Sequence, residues 1–265
     1  MLATLRPRSP ALQRQPHVQK SRPVDPALTV AMADYLAHLR DCRPLQNRLE
    51  CDAATAVVES MGLPGHHDPQ KNWDTLKCVA YVKSLDDADG PVLDAGTGVR
   101  IVAPRWLHQL GYRELYGCDL KGSVVKPQYA ALGIKVSAQD LTKTDYADDF
   151  FQAVTCISVI EHNVPLDAFA REMGRIIRPG GLLTVSTDYW PESIDCSGIY
   201  PYGEEAGEMK ILDGAAIAGF VGMCDAAGLE LCEPLQLQAN EKAIRWDRTD
   251  RDYTFMFMAF RKRAA

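Results

Sequence analysis

Apolar positions along the chain follow two different periods, and the change from one to the other divides the sequence. Between residues 27 and 84 the apolar residues recur at helical spacing, which predicts three helices. These helices are predicted over Ala27–Arg40, Asn47–Met61 and Trp73–Ser84, with Asn72 available to cap the third. From Pro91 onward, short apolar runs alternate with helical segments. That alternation predicts an α/β fold with a parallel sheet covered on both faces.

Turn residues separate the elements of this second region. Gly111 and Gly133 stand where helices are expected to end, and Pro179-Gly-Gly181 is predicted to end a strong helix. Asp213 is a candidate cap for another helix, which Gly228 closes. The predicted helices are Val99–Leu110, Leu166–Ile177 and the segment from Asp213 to Ala227, and the last two predicted strands are Leu229–Leu237 and Tyr253–Phe260.

Four segments follow from these patterns. Residues 1–26 carry five basic residues and four prolines before position 25, which predicts a disordered basic tail. Residues 27–88 are predicted to form a helical cap, and residues 89–265 the core. Within the core, residues 189–212 are rich in aromatic and turn residues and interrupt the alternation as an insertion. A chain of 265 residues is long enough for one well-buried domain with such an extension.

Charge and composition narrow the class of partner. The net charge of −6 argues against a broad electrostatic grip on DNA or RNA. No apolar run approaches the roughly 20 residues that span a bilayer, and nothing resembles a secretory leader. The eight cysteines form no C-x-x-C pair, which favours buried thiols in a reducing, cytoplasmic compartment and disfavours a metal site.

The stretch Val92-Leu-Asp-Ala-Gly-Thr-Gly98 is the most informative motif. It predicts a buried strand that ends in a carboxylate, turns through two glycines and enters a helix whose N-terminus favours an anionic group. A dinucleotide fingerprint requires a third glycine, and Ile101 occupies that place. The charge of Asp94 would repel a pyrophosphate and attract an ammonium.

This motif resembles motif I of the class I S-adenosylmethionine-dependent methyltransferases, and four later segments resemble that family in order and spacing. They are Glu114–Asp119, Val136–Asp140, Phe151–His162 and Arg175–Val185. Together they cover about residues 91 to 187. The resemblance implies a Rossmann-like seven-stranded sheet with helices on both faces, an antiparallel last strand and an N-terminal helical extension. One departure is Arg100, which stands where the family usually carries a third glycine.

The resemblance also implies roles for individual residues. Asp94 would approach the methionine ammonium of S-adenosylmethionine, Gly96 and Gly98 would pass under the ligand, Asp119 would bind the ribose diol and Asp140 would meet the adenine. The full set implied to contact the cofactor is Asp94, Ala95, Gly96, Gly98, Asp119, Leu120, Gln139, Asp140, Leu141 and Ser158.

The acceptor side is expected at the ends of the fourth and fifth strands. Glu161 and His162 are the catalytic candidates, because a histidine titrates near neutrality and could take a proton from the acceptor. Asp188, Tyr189, Trp190 and Arg100 are candidates for substrate binding.

Each of these residues has a plainer interpretation as well. Asp119 could cap a loop, Asp140 could form a turn, and the pair Glu161-His162 could shape its loop or cap a helix. Tyr189 and Trp190 could pack the insertion, and Arg100 could face solvent in the first helical turn.

The sequence therefore predicts a methyltransferase that acts on a small-molecule acceptor, and a natural-product or sugar-derived acceptor is the expected class. Two rival hypotheses remain open. One is a catalytically inactive methyltransferase-like binding module, which Arg100 would explain. The other is an NAD-dependent oxidoreductase, which Asp94 and Ile101 disfavour.

Overall fold

The computed structural model describes residues 26–264, so the predicted basic tail at residues 1–26 lies almost wholly outside the described residues. The helices are α1 (Pro26–Ala37), α2 (Arg48–Ser60), α3 (Asn72–Lys83), α4 (Val102–Gln109), α5 (Pro127–Ala130), α6 (Leu166–Ile176) and α7 (Gly214–Ala226). The strands are β1 (Val92–Ala95), β2 (Leu115–Asp119), β3 (Lys135–Ala138), β4 (Phe151–Ile157), β5 (Ile177–Tyr189), β6 (Leu229–Leu231), β7 (Ile244–Trp246) and β8 (Arg251–Lys262).

The strands form one sheet in the order β3-β2-β1-β4-β5-β8-β6, and β7 pairs with β8 outside this path. Strands β1 to β5 are parallel, and β8 runs antiparallel to both β5 and β6. The predicted Rossmann-like architecture with an antiparallel last strand is therefore confirmed. The observed sheet has one strand more than the seven predicted, the three-residue strand β7, which the sequence pattern did not predict.

Alternate residues of each strand enter one of two apolar cores, one on each face of the sheet. Val92 points into the core formed with α2, α3 and α4, and its neighbour Leu93 points into the core formed with α6 and α7. The strands carry apolar residues on both faces because both faces are covered. The N-terminal helices are present as predicted, and they pack on the first of these cores.

Three predicted boundaries were wrong. Helix α4 begins at Val102 and not at Val99, because Ile101 adopts φ +42° and ends the glycine loop. Asn72 lies inside α3 and does not cap it, since its side chain instead accepts the His66 amide at 2.8 Å. The segment Pro179-Gly-Gly181 belongs to β5, which starts immediately after α6 with a shift in register against β4.

Other expectations at the C-terminal end are met in part. Asp213 caps α7 by accepting the amide of Ala216 at 2.9 Å, as predicted. The strand predicted over Leu229–Leu237 ends at Leu231, whereas β8 extends beyond the predicted Tyr253–Phe260 at both ends. The insertion returns to the sheet at Leu212, whose amide bonds the Asp188 carbonyl at 3.0 Å. No helix within residues 26–264 is long and apolar enough to cross a membrane.

Candidate active site

The glycine loop after β1 is held to the neighbouring strand by backbone hydrogen bonds. The amides of Gly96 and Thr97 donate to the Cys118 carbonyl at 2.8 and 3.0 Å. Gly96 has φ +80°, and a Cβ placed on it would lie 2.4 Å from Cγ2 of Val159. Only glycine satisfies both constraints, so Gly96 lets the loop approach the segment after β4. Gly98 also has positive φ, but it borders open space.

Asp119 ends β2 and ties two loops together. Its Oδ2 accepts the Gly98 amide at 3.2 Å, and its Oδ1 accepts the Lys121 amide at 3.1 Å. The loop-capping interpretation is thus observed. A carboxylate oxygen has two acceptor positions, however, so the side chain retains capacity for ligand hydroxyls. Leu120 follows directly, an apolar side chain with 73% of its surface exposed.

Asp94 is a buried carboxylate at the end of β1. Its Oδ1 accepts a hydrogen bond from the Thr155 hydroxyl at 2.6 Å. Burial raises the pKa of Asp94 to about 6, and the hydrogen bond from Thr155 only partly opposes this. No ion pair to Asp94 occurs within the described part of the chain. A buried carboxylate of this kind is stabilised by a ligand cation.

The residues after β3 are arranged as a turn. Asp140 is exposed, and its Oδ1 accepts the amide and the hydroxyl of Thr142 at 2.8 and 2.7 Å. These hydrogen bonds lower the pKa of Asp140. Gln139 accepts the Asp145 amide at 2.7 Å, and Leu141 is buried in the core. The turn-forming interpretation is observed here, and the adenine role of these three residues stays a prediction.

The residues at the ends of β1 and β2 match the groups of S-adenosylmethionine. The cofactor carries an ammonium, a ribose diol and an apolar adenine face. The matching features are buried Asp94, which has no ion pair among the described residues, the spare acceptor positions of Asp119, and exposed Leu120. The space that a Cβ on Gly98 would occupy is open, which leaves room for a ligand against the backbone.

A buried charged network lies at the ends of β4 and β5, and Lys71 is its centre. Lys71 follows Asp68, which caps a short 3₁₀ helix, and its Nζ donates to the Ser158 hydroxyl. The same ammonium lies 3.8 Å from the centre of the Phe255 ring. Burial alone would lower the pKa of Lys71, but the nearby carboxylates, Asp74 first among them, raise it overall.

Three carboxylates surround that ammonium. Asp74 accepts the Ser186 hydroxyl at 2.8 Å, and Glu161 accepts the Thr187 hydroxyl at 3.0 Å. The side chain of Tyr253 forms a hydrogen bond with Asp188. All three are almost fully buried, and burial raises the pKa of each. The charge of Lys71 opposes that rise in every case.

His162 lies at the edge of the network, with its ring edge-on to Tyr202 at 5.2 Å between centroids. Desolvation lowers the pKa of His162, and the charge of Lys71 acts in the same direction while Asp188 opposes it. The imidazole is therefore neutral near pH 7 and able to accept a proton.

Lys71, Glu161, Asp188 and His162 line a cavity of about 220 Å³. Its lining includes Ser158, Glu161, His162 and Asp188, which are four of the candidate site residues predicted from the sequence. The remaining lining residues come from the segment before α3, from the insertion and from strands β7 and β8: Asp68, Gln70, Lys71, Tyr202, Ile244, Arg245, Trp246, Tyr253 and Phe255. The cavity thus lies at the carboxyl ends of the strands, where open α/β sheets bind their ligands.

Three predicted substrate residues do not line this cavity. Tyr189 is fully buried in the core, where its hydroxyl donates to the Leu237 carbonyl at 2.6 Å. Trp190 is half-buried and lies under the ammonium of Lys242 at 5.0 Å. Arg100 is exposed in the glycine loop and not in the first turn of α4. Its charge adds to desolvation in lowering the pKa of His67, so the guanidinium lies near the cap.

The sequence reasoning missed Lys71, Asp74, Tyr253 and Phe255. One signal was available for the first two. Lys71 and Asp74 flank Trp73 at the start of a helix that is buried on nearly all sides, where charged residues are rare unless paired. Nothing in the local pattern of β8 distinguishes Tyr253 and Phe255 from ordinary core residues.

Part of the chain matches a known protein family. Residues 93–185 match the family model described as a methyltransferase domain. A search of curated proteins by sequence gives no match.

Solved structures share the fold at low sequence identity. The [4+2]-cyclase SpnF is 15% identical, with a TM-score of 0.58 over 90% of this chain and 93% of that one. An S-adenosylmethionine-dependent methyltransferase from Mesorhizobium loti is 16% identical, with a TM-score of 0.50 over 72% and 98%. The 1,6-didemethyltoxoflavin-N1-methyltransferase of Burkholderia thailandensis, with bound 1,6-didemethyltoxoflavin and S-adenosylhomocysteine, is 18% identical, with a TM-score of 0.50 over 83% and 92%.

Proposed function

We propose that this chain, which belongs to the class I S-adenosylmethionine-dependent methyltransferases, transfers a methyl group to a small-molecule acceptor. The observation that carries the acceptor class is the cavity of about 220 Å³ at the ends of β4 and β5. A cavity of that size, below the usual 300–1,000 Å³ of small-molecule sites, supports an acceptor group of about one ring. The net charge of −6 supports the same choice.

S-adenosylmethionine, when bound, supplies an electrophilic methyl group on a sulfonium. In this proposal Asp94 holds the ammonium of the cofactor, Asp119 the ribose hydroxyls, and Gly96 and Gly98 let it approach the loop backbone. The residues Ala95, Leu120, Gln139, Asp140, Leu141 and Ser158 complete the proposed contact set.

In this proposal the protein positions the acceptor and removes a proton from it. Orienting two reactants supplies much of the acceleration in a displacement of this kind. Neutral His162 at the cavity edge is the proposed base, and Glu161 is proposed to position the acceptor beneath it. Ser158 follows β4, where its hydroxyl accepts a hydrogen bond from Lys71 and its side chain lines the cavity. This position supports a contact of Ser158 with the cofactor and with the acceptor.

The test is transfer of label from methyl-labelled S-adenosylmethionine to a fractionated extract of the source cells. We expect label in the small-molecule fraction and none above background in the protein and RNA fractions. Label confined to a macromolecular fraction would overturn the small-molecule acceptor and leave the methyltransferase family intact.

A further inference from the structure

The acceptor cavity is unbalanced in charge. Three carboxylates line it, those of Asp68, Glu161 and Asp188, and Asp74 lies directly behind Lys71. Arg245 also lines the cavity, but its guanidinium is in ion pairs with Asp247 at 3.3 Å, with Asp250 and with Asp252 at 3.0 Å. Among the described residues that line the cavity, Lys71 therefore supplies the positive charge that faces the acidic groups Asp188, Glu161 and Asp68.

Burial makes this imbalance costly. Glu161 and Asp188 are only 2% and 4% exposed, so water offers them little solvation. A buried carboxylate without a matching cation either binds a proton or gains stability from a ligand that brings positive charge. The raised pKa values of both groups are the consequence of that burial in the ligand-free protein.

Lys71 shows what kind of group this site stabilises. Its ammonium lies over the Phe255 ring, bonds the Ser158 hydroxyl and faces the carboxylates. An aromatic face, a hydroxyl and an acid are the groups that hold an organic ammonium. The cavity wall carries more of the same groups, since the rings of Tyr202, Trp246 and Tyr253 line it beside Asp188.

We propose that the acceptor is an amine, bound as its ammonium by Asp188 and Glu161 against these aromatic rings. The bound ammonium gives one proton to neutral His162, which also lines the cavity, and this frees the nitrogen lone pair that accepts the methyl group. This assignment rests on the proposed function, because it takes the cavity to be the acceptor site. Asp188 and Glu161 are then specificity-determining residues, and an acceptor whose bound group is anionic is rejected by the same carboxylates.

The test uses three probes of one ring size that differ in charge: cyclohexylamine, cyclohexanol and cyclohexanecarboxylate. Each is titrated at pH 7 into protein saturated with S-adenosylhomocysteine, whose sulfur is uncharged, and binding is followed by calorimetry. We expect the amine to bind about tenfold tighter than the alcohol, and the carboxylate to bind weakest. Asp188→Asn should bring the amine to the affinity of the alcohol while the affinity for S-adenosylhomocysteine is unchanged.

Asp89→Asn, at an exposed carboxylate remote from the cavity lining, is the matched control and should keep the order of the three probes. Glu161→Gln replaces Asp188→Asn if that variant does not fold. Equal binding of the amine and the alcohol by wild type, tighter binding of the carboxylate, or no binding of the amine would each overturn the assignment. Failure to bind S-adenosylhomocysteine would instead overturn the proposed function.

Discussion

Asp94 is the residue whose ionisation most directly reports on the cofactor side of the site. Burial raises the pKa of its carboxyl from 3.8 to about 6 in the folded protein. The folded state therefore holds the proton more tightly than the unfolded chain. The stabilisation from that proton is fully present below about pH 4, and it is lost as the pH rises through about 6.

This shift predicts a pH-dependent difference between wild type and Asp94→Asn, in which the group cannot ionise. From pH 4 to pH 7 the ligand-free wild type should lose about 2 kcal/mol of unfolding free energy relative to the variant, at 1.36 kcal/mol per pKa unit. Urea unfolding of both proteins across that range measures the difference. A difference independent of pH would show that Asp94 is solvated like an ordinary aspartate.

Among individual residues, the sequence predicted the candidate site residues that lie at strand ends. It missed the residues that distant segments of the chain bring to the cavity. Asp94, Gly98 and Asp119 come together as the glycine motif indicated, because adjacent parallel strands bring their carboxyl ends to one edge. Lys71 and Phe255 reach the separate cavity at the ends of β4 and β5 from distant segments of the chain. Their contact depends on tertiary packing, which no local spacing encodes.

Among the elements, the cap is fastened by a buried ion pair. Arg43 donates to both oxygens of Glu50 at 3.1 and 2.8 Å, and the indole of Trp73 donates to the same carboxylate at 3.2 Å. Glu50 lies on α2 and Trp73 on α3, so this carboxylate links the two helices. The contact on α3 is two residues after Lys71.

Removing one partner should be far more harmful here than at the surface. Arg43→Ala leaves the buried charge of Glu50 without its cation, and we expect a loss of about 3–5 kcal/mol in unfolding free energy. Arg171→Ala breaks the exposed pair with Asp167 on α6 and should cost at most about 0.5 kcal/mol. Chemical denaturation of both variants makes the comparison, and equal losses would contradict the structural role of the buried pair.

Element boundaries were predictable only where a local signal dominates. Asn47 and Asp213 cap α2 and α7 as their side chains suggest. Ile101 is different, because a β-branched residue at φ +42° is unfavourable and is fixed by the surrounding fold. Strand β7 has three residues and exists because β8 pairs with it, so it has no independent sequence signature.

Across the whole molecule, the fold class was the most predictable property. Alternating strands and helices after Pro91 allow few topologies, and the observed sheet is Rossmann-like with an antiparallel last strand, as the family resemblance implied. The division into a cap at 27–88 and a core at 89–265 stays a prediction. The cavity is lined jointly by Lys71, from the segment before α3, and by residues at β4, β5 and β8.

The central claim is that the edge formed by β1 and β2 binds S-adenosylmethionine, and calorimetric titration tests it most directly. Wild type and the exposed-site control Asp89→Ala should bind S-adenosylmethionine and S-adenosylhomocysteine but not NAD, and Asp119→Ala should lose most of that affinity. Absence of binding by folded wild type to either adenosyl ligand would contradict the claim. It would favour a binding module in which Arg100 closes the glycine loop to the cofactor.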